Sequence, residues 1–296
     1  MTLAGTGEAY SAASAVLWAV AVVLFRQSGE TVAPGALNLF KNSVGLVLLC
    51  ATMLILGTPL FPKGSTGKDW AVLLASGVVG IAAADTLFFA SLNRLGAGRS
   101  AIVDCLYSPL VILCAFVYLD EPIGPALAGA AVLIGGAIFV GTWQPEGPGR
   151  PTREMTAGIA YGVVSMALMA ASIVVAKPVI ERVDPLWATT VRMAGAFPVL
   201  MLQGAFPRQR AQVRQAFTPG PHWKAMLPAT FVGAYLALIV WVAGFKYAAA
   251  GVAGVLNQTS TLLVLFFATV FLREPLSWRR GAAIAMGFAG AVLAVR

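Results

Sequence analysis

AIVDCLYSPLVILCAFVYLDEP, residues 101–122, is apolar and long enough to be a membrane helix, yet it carries Asp104, Tyr107, Ser108 and Pro109 before stopping at Asp120-Glu121-Pro122. A second stretch, GVLNQTSTLLVLFFATVFLREP at residues 254–275, has the same layout. It too ends in Glu-Pro and is polar at the same place, but Asn257, Gln258, Thr259, Ser260 and Thr261 bear no charge. Two such segments in one chain point to a membrane protein built from a duplicated unit.

Composition supports the first half of that reading. Of 296 residues, 59% are apolar and only 11% are charged, against roughly one-quarter charged in an ordinary soluble domain. A helix needs about 20 mostly apolar residues to cross a bilayer core, and ten segments qualify: 9–28, 35–56, 70–92, 98–119, 125–143, 156–177, 186–206, 225–246, 251–272 and 280–295. The joints between them carry turn and charge signals: Val32-Ala33-Pro34-Gly35, Asn93-Arg94-Leu95-Gly96, Gln144 to Arg153, and the basic stretch Pro207 to Lys224. Residues 1–25 contain no Lys or Arg, so the first segment is expected to stay in place as a span and not to be cleaved as a signal peptide. Cys50, Cys105 and Cys114 have neither paired nor metal-ligand spacing and read as packing residues, so no metal is expected. The net charge of +8 sits at span ends and in short loops, which fits anchoring in the lipid bilayer and excludes a nucleic-acid partner.

The duplication runs along the chain. Trp70 pairs with Trp223, Gly80 with Gly233, Gly98 with Gly251 and Glu121-Pro122 with Glu274-Pro275, all at one offset. Upstream, at a slightly different offset, Arg26 faces Lys177 and Lys41 faces Arg192. The expected units are 8–143 and 154–296. Five spans in each is an odd number, so the second unit enters the membrane from the opposite face. The fold class is therefore all-α and polytopic, with ten transmembrane helices as two inverted five-helix repeats, an arrangement that encloses a midplane site open to either side in turn.

These features resemble the drug/metabolite transporter superfamily, EamA-like branch: tandem five-helix repeats, an early Trp in Leu17-Trp18, and Glu-Pro after the fourth span of each repeat. The resemblance implies a ten-helix carrier in which the first four spans of each half line a central cavity, with the fifth and tenth as supports. It implies a cell inner membrane location with both termini in the cytoplasm. Members carry amino acids, nucleobases, vitamins, sugars or drugs.

The polar groups inside the spans are the candidate site, because a charge at bilayer depth costs from about 2.5 kcal/mol upward and needs a partner or a wet cavity. Lys41, Asp85 and Asp104 lie about 9–12 Å below one face at about 1.5 Å per residue and can meet. Together they offer a cation and an anion to a zwitterion such as an amino acid. Arg192 sits at the matching depth from the other face, where Asp104 and Asp85 become Asn257 and Leu238; one end of the pathway reads as acidic, the other as basic and amide-lined. The blander alternative is snorkelling for Lys41 and Arg192 and a structural pair for the aspartates. Asn38 shares the lining or packs on backbone. Pro109 should break the helix by removing a hydrogen bond and clashing with the Cys105 carbonyl, with Tyr107 and Ser108 supplying hydroxyls to the freed carbonyls. Asn257, Gln258 and Ser260 form the uncharged counterpart. Trp18, Phe88, Phe89, Tyr107, Tyr235 and Trp241 are candidate aromatic walls or packing residues, and Glu121 and Glu274 are helix stops or gate residues.

The expected function is secondary transport of small polar or amphipathic metabolites, amino acids or related compounds, by alternating access in the export direction, with the chain working as a monomer and a small molecule as its partner. An intramembrane enzyme using Asp85 and Asp104, or a sensor without transport, is the alternative. No Gly-x-Gly-Asp, Gly-x-Ser-x-Gly or His-Glu-x-x-His motif is present, so no catalytic role is assigned and no cofactor is expected; nor is there a Walker-type nucleotide motif. A buried Asp85 or Asp104 can titrate and couple flux to protons, though a facilitated carrier needs no such group. Loop charge argues with the family topology. Lys63, Lys68, Lys177, Arg182 and Lys246 fall on one face, and Arg94, Arg99, Arg150, Arg153, Arg208, Arg210, Arg214, Lys224, Arg273, Arg279 and Arg280 on the other, so the positive-inside rule prefers termini outside.

Overall fold

The computed structural model describes residues 5–29, 31–142, 152–271 and 278–294. Among the described residues it is helical, in the order α1 (Thr6–Gly29), α2 (Pro34–Leu56), α3 (Gly67–Gly77), α4 (Asp85–Asp104), α5 (Tyr107–Leu119), α6 (Pro125–Thr142), α7 (Thr152–Ile180), α8 (Pro185–Ala205), α9 (Pro207–Phe217), α10 (Trp223–Ala229), α11 (Leu238–Tyr247), α12 (Ala250–Phe271) and α13 (Trp278–Ala294). Among the described residues, five stretches are each long and apolar enough to cross a membrane: Thr6–Ser28, Pro34–Leu56, Gly67–Leu95, Arg153–Ile180 and Trp223–Tyr247.

Helix starts follow local chemistry. Pro34 and Pro185 occupy the first turns of α2 and α8, where a missing N–H costs nothing. Asp184 caps α8 through the backbone N–H groups of Leu186 and Trp187. Thr66 and Asp69 close a reciprocal capping box on α3.

In the third span of each half the α-helix widens into a π-helix, over Val78–Ala84 between α3 and α4 and over Thr230–Ala237 between α10 and α11. A π turn takes an extra residue, which shifts the face on which the following side chains emerge. Asn38 of α2 clips the first one, donating to the Ile81 carbonyl at 2.9 Å and to Thr86 Oγ1 at 2.9 Å.

The loop expected at Asn93 to Gly96 is helical, within α4. Even so, Ser91 and Val103 both lie against Gly162, where an added Cβ would come within 2.8 and 2.7 Å of them. A straight helix would hold these residues about 18 Å apart. The chain therefore bends sharply between them and separates the third span from the fourth. At Cys105 and Leu106 the helix breaks, and α5 begins at Tyr107. Pro109, which cannot donate to the Cys105 carbonyl, accounts for the place of the break. The Tyr107 and Ser108 hydroxyls make no hydrogen bond there, so the expected repair of the freed carbonyls by these two groups does not occur.

Contacts between the halves come in reciprocal pairs. α1 packs on α12 as α7 packs on α5, α1 packs on α11 as α7 packs on α4, and α6 packs on α13. The atoms repeat the rule. Ser14 Oγ donates to the Ala237 carbonyl at 3.4 Å, and its counterpart Ser165 Oγ donates to the Ala84 carbonyl at 2.7 Å. Gly244 lies against Ser11 Oγ and Gly162 against Ser91 Oγ; Gly233 lies against Ala21 and Gly80 against Ser172. Each pair maps onto the other by exchanging the halves, which makes the pseudo-twofold relation explicit. Small residues allow these close crossings, as membrane helices without a hydrophobic driving force between them require.

Candidate functional site

A cavity of about 120 Å³ opens between the halves. At about 30 Å³ per water in the liquid, it holds on the order of four waters, the scale of a very small molecule. Its walls come in counterparts: Lys41 and Arg192, Gly80 and Gly233, Asp85 and Leu238, Phe88 and Trp241, Asp104 and Asn257, Tyr107 and Ser260. Trp18 of α1 and Met169 of α7 form a further pair. The cavity thus lies on the pseudo-twofold axis, and residues expected at two ends of a pathway surround one space.

Chemistry breaks this symmetry. Lys41 is 4% exposed and its Nζ forms an ion pair with Asp85 Oδ2, 5.5 Å above the Phe89 ring. Burial and pairing rule out snorkelling. A buried pair of this kind contributes little net stability, because desolvation offsets the attraction, but losing one partner is costly. Arg192 is 1% exposed. Its guanidinium lies 5.4 Å from the Trp241 ring centroid, a cation–π contact worth about 0.5–2 kcal/mol, while Nε and Nη1 meet no protein acceptor. Arg192 does not snorkel either. The reason it lacks a counter-ion is written in the repeat: where the first half has Asp85, the second has Leu238.

Asp104 joins the cavity but not the Lys41 pair. Its Oδ1 has no hydrogen-bond partner among the described residues, and the Tyr107 hydroxyl beside it lies near Trp241. Opposite, Asn257 Nδ2 donates to the Ala253 carbonyl at 2.9 Å and Gln258 Nε2 to Thr261 Oγ1 at 3.2 Å; both line the cavity, as does Ser260. The acidic and amide-lined groups are therefore two walls of one chamber.

Two expected lining residues lie elsewhere. Asn38 is fully buried against the π-helical turn, so it positions the backbone ahead of Asp85 and does not face the cavity. Ser108 is 2% exposed and lies outside the lining, because the chain emerges from the break with Tyr107 facing inward. Of the aromatic candidates, Trp18, Phe88, Tyr107 and Trp241 form walls. Phe89 lies under Lys41, and Tyr235 shares a hydrogen bond with Thr52 at 2.7 Å. Ser14, Met166 and Met169 also line the site without having been singled out. Met169 was within reach, since it is the counterpart of Trp18.

Among the described residues Glu121 forms no gating ion pair. Its carboxylate accepts from the N–H groups of Ala250 at 2.9 Å and Gly251 at 3.2 Å, capping α12 of the other half. Its counterpart, Glu274-Pro275, lies outside the described residues, as does most of Gln144 to Arg153. On the same face Lys177 Nζ donates to the Phe245 and Ala248 carbonyls at 3.0 Å and pairs with Glu181, and Arg182 reaches Asp69 Oδ1 at 2.8 Å. Arg26, the counterpart of Lys177, is exposed. No group of three or more metal-ligating side chains occurs among the described residues.

The EamA-like transporter family model matches residues 5–142 and 156–296. A solved structure, described only as a crystal structure of a protein, aligns over 97% of this chain and 96% of its own, with a TM-score of 0.79 at 18% identity. That likeness speaks for the fold alone. No curated protein matches the chain at a significant level.

Proposed function

The chain belongs to the EamA-like transporter family, a family of membrane transporters, and from that premise we propose that it is a secondary carrier of small polar or amphipathic metabolites, amino acids or related compounds. It exports them across the cell inner membrane by alternating access, acting as a monomer and without catalysis. One observation carries the reading: the cavity on the pseudo-twofold axis is walled by corresponding positions of both inverted halves. Such a site can open to either face as the halves rock.

The polar groups there are costly in a bilayer, and Asp104 Oδ1 has no partner among the described residues, which suits a site that binds and releases. Flux in liposomes carrying the purified protein, lost in Asp104→Asn, supports the carrier and this residue's part in it. Wild-type flux in that variant removes Asp104 from the site. A reporter fusion at Arg210 fixes the orientation: a cytoplasmic signal sides with the loop charge, an external one with the usual family topology.

A further inference from the structure

Building on the carrier reading above, we propose that Arg192 selects the cargo by binding a carboxylate on it, while the Lys41–Asp85 pair binds no charged group of the cargo.

Both halves set a cation at the same point of their second span, facing the same cavity. Lys41 is answered within the protein by Asp85. Arg192 makes no direct ion pair among the described residues and feels the Asp85 carboxylate only at longer range, since the position that would hold its own carboxylate is Leu238, which lines the cavity with it. The guanidinium is 1% exposed, its Nε and Nη1 lack an acceptor, and Trp241 covers it at 5.4 Å. A ring contact satisfies a guanidinium through its charge but leaves the N–H donors unused. The planar guanidinium presents two forks, Nε with Nη2 and Nη1 with Nη2, and either matches a carboxylate in bidentate fashion. Gly80 makes room beside them: a Cβ there would stand 3.3 Å from Nη2 and collide with Ser172.

The rest of the chamber completes the description of the cargo. Asp104 Oδ1, also unpartnered, can take a donor group such as an ammonium. Trp18, Phe88, Met166 and Met169 offer apolar wall to the remainder. Arg192 offers N–H donors and a positive charge and Asp104 an acceptor oxygen, so a molecule bearing a carboxylate and a donor group satisfies them together.

The test is counterflow into liposomes containing the full-length protein, using the twenty amino acids, their carboxamides and their decarboxylated amines. The expected result is that each acid carried outcompetes its own carboxamide at least tenfold. Arg192→Gln should cut flux of the acid at least tenfold and bring the acid-to-amide ratio near one, with Arg192→Lys intermediate. Leu238→Asp gives Arg192 the counter-ion that Lys41 already has; it should lose flux of the acid at least tenfold while raising the melting temperature, and it carries the test if Arg192→Gln does not fold. Carboxamides carried as well as their acids, or an unchanged ratio in Arg192→Gln, overturn the inference. Flux of amines or amides without acids leaves the carrier standing and removes the carboxylate anchor. Monodisperse protein that moves nothing in the panel removes the amino-acid carrier reading, and the anchor with it.

Discussion

At one point of their second spans the halves hold a lysine and an arginine, and only the lysine has its counter-ion. Backbone, depth and facing are shared. What differs is one neighbour, Asp85 in the first half and Leu238 in the second. Duplication supplies two equivalent positions around an axis, and divergence at a single partner makes one cation a neutralised strut and leaves the other available. The same division recurs between Asp104 and Asn257, where one wall holds an unpartnered carboxylate oxygen and the other an amide already bonded to backbone.

The largest expected effect comes from breaking the neutralised half. Asp85→Asn strands the Lys41 ammonium at 4% exposure and should cost about 3–5 kcal/mol, read as a lowered melting temperature in detergent. The double variant Lys41→Met/Asp85→Leu removes both charges and should recover most of that loss; if it melts as low as the single variant, the pair is more than a neutralised strut.

Next come the crossings on which both halves depend. Gly77 lies against the Arg192 carbonyl and Gly195 against the Leu74 backbone, so alanine at either should cost about 1–3 kcal/mol. Gly124→Ala, which meets open space, should not move the melting temperature downward.

A smaller effect is expected at the latch between the halves. Glu121→Ala uncaps α12 and should cost about 0.5–2 kcal/mol, visible as faster amide exchange at Ala250 and Gly251; unchanged exchange would show that the cap contributes nothing. Smallest is the serine pair. Ser165→Ala should lose about 0.6 kcal/mol and Ser14→Ala less, following 2.7 against 3.4 Å. Equal losses would mean that the two crossings are tighter copies of each other than the distances say.

Much of the fold could be read from the sequence because duplication leaves matched marks. Gly80 with Gly233 and Glu121-Pro122 with Glu274-Pro275 are placed by spacing alone, and an odd number of spans per half then fixes their opposed orientation. Pro109 gives away the break between α4 and α5 because its missing N–H acts locally. The pairing of Lys41 with Asp85 in preference to Asp104 was not legible, since span depth gives height in the membrane but not the angle around each helix. Nor was the role of Asn38: a buried amide looks the same in sequence whether it faces a cavity or a neighbour's carbonyl. Met166 and Met169 carry no polar signal at all, so only their relation to the first half could have drawn attention to them.

The π-helical turns occur at corresponding places, Val78–Ala84 and Thr230–Ala237. An inserted residue disrupts a helix wherever it lands, so two separate insertions at matching points are the less economical history. A widened turn that came with the duplicated unit accounts for both, and it is compatible with a carboxylate beside it, at Asp85, and with an apolar side chain, at Leu238.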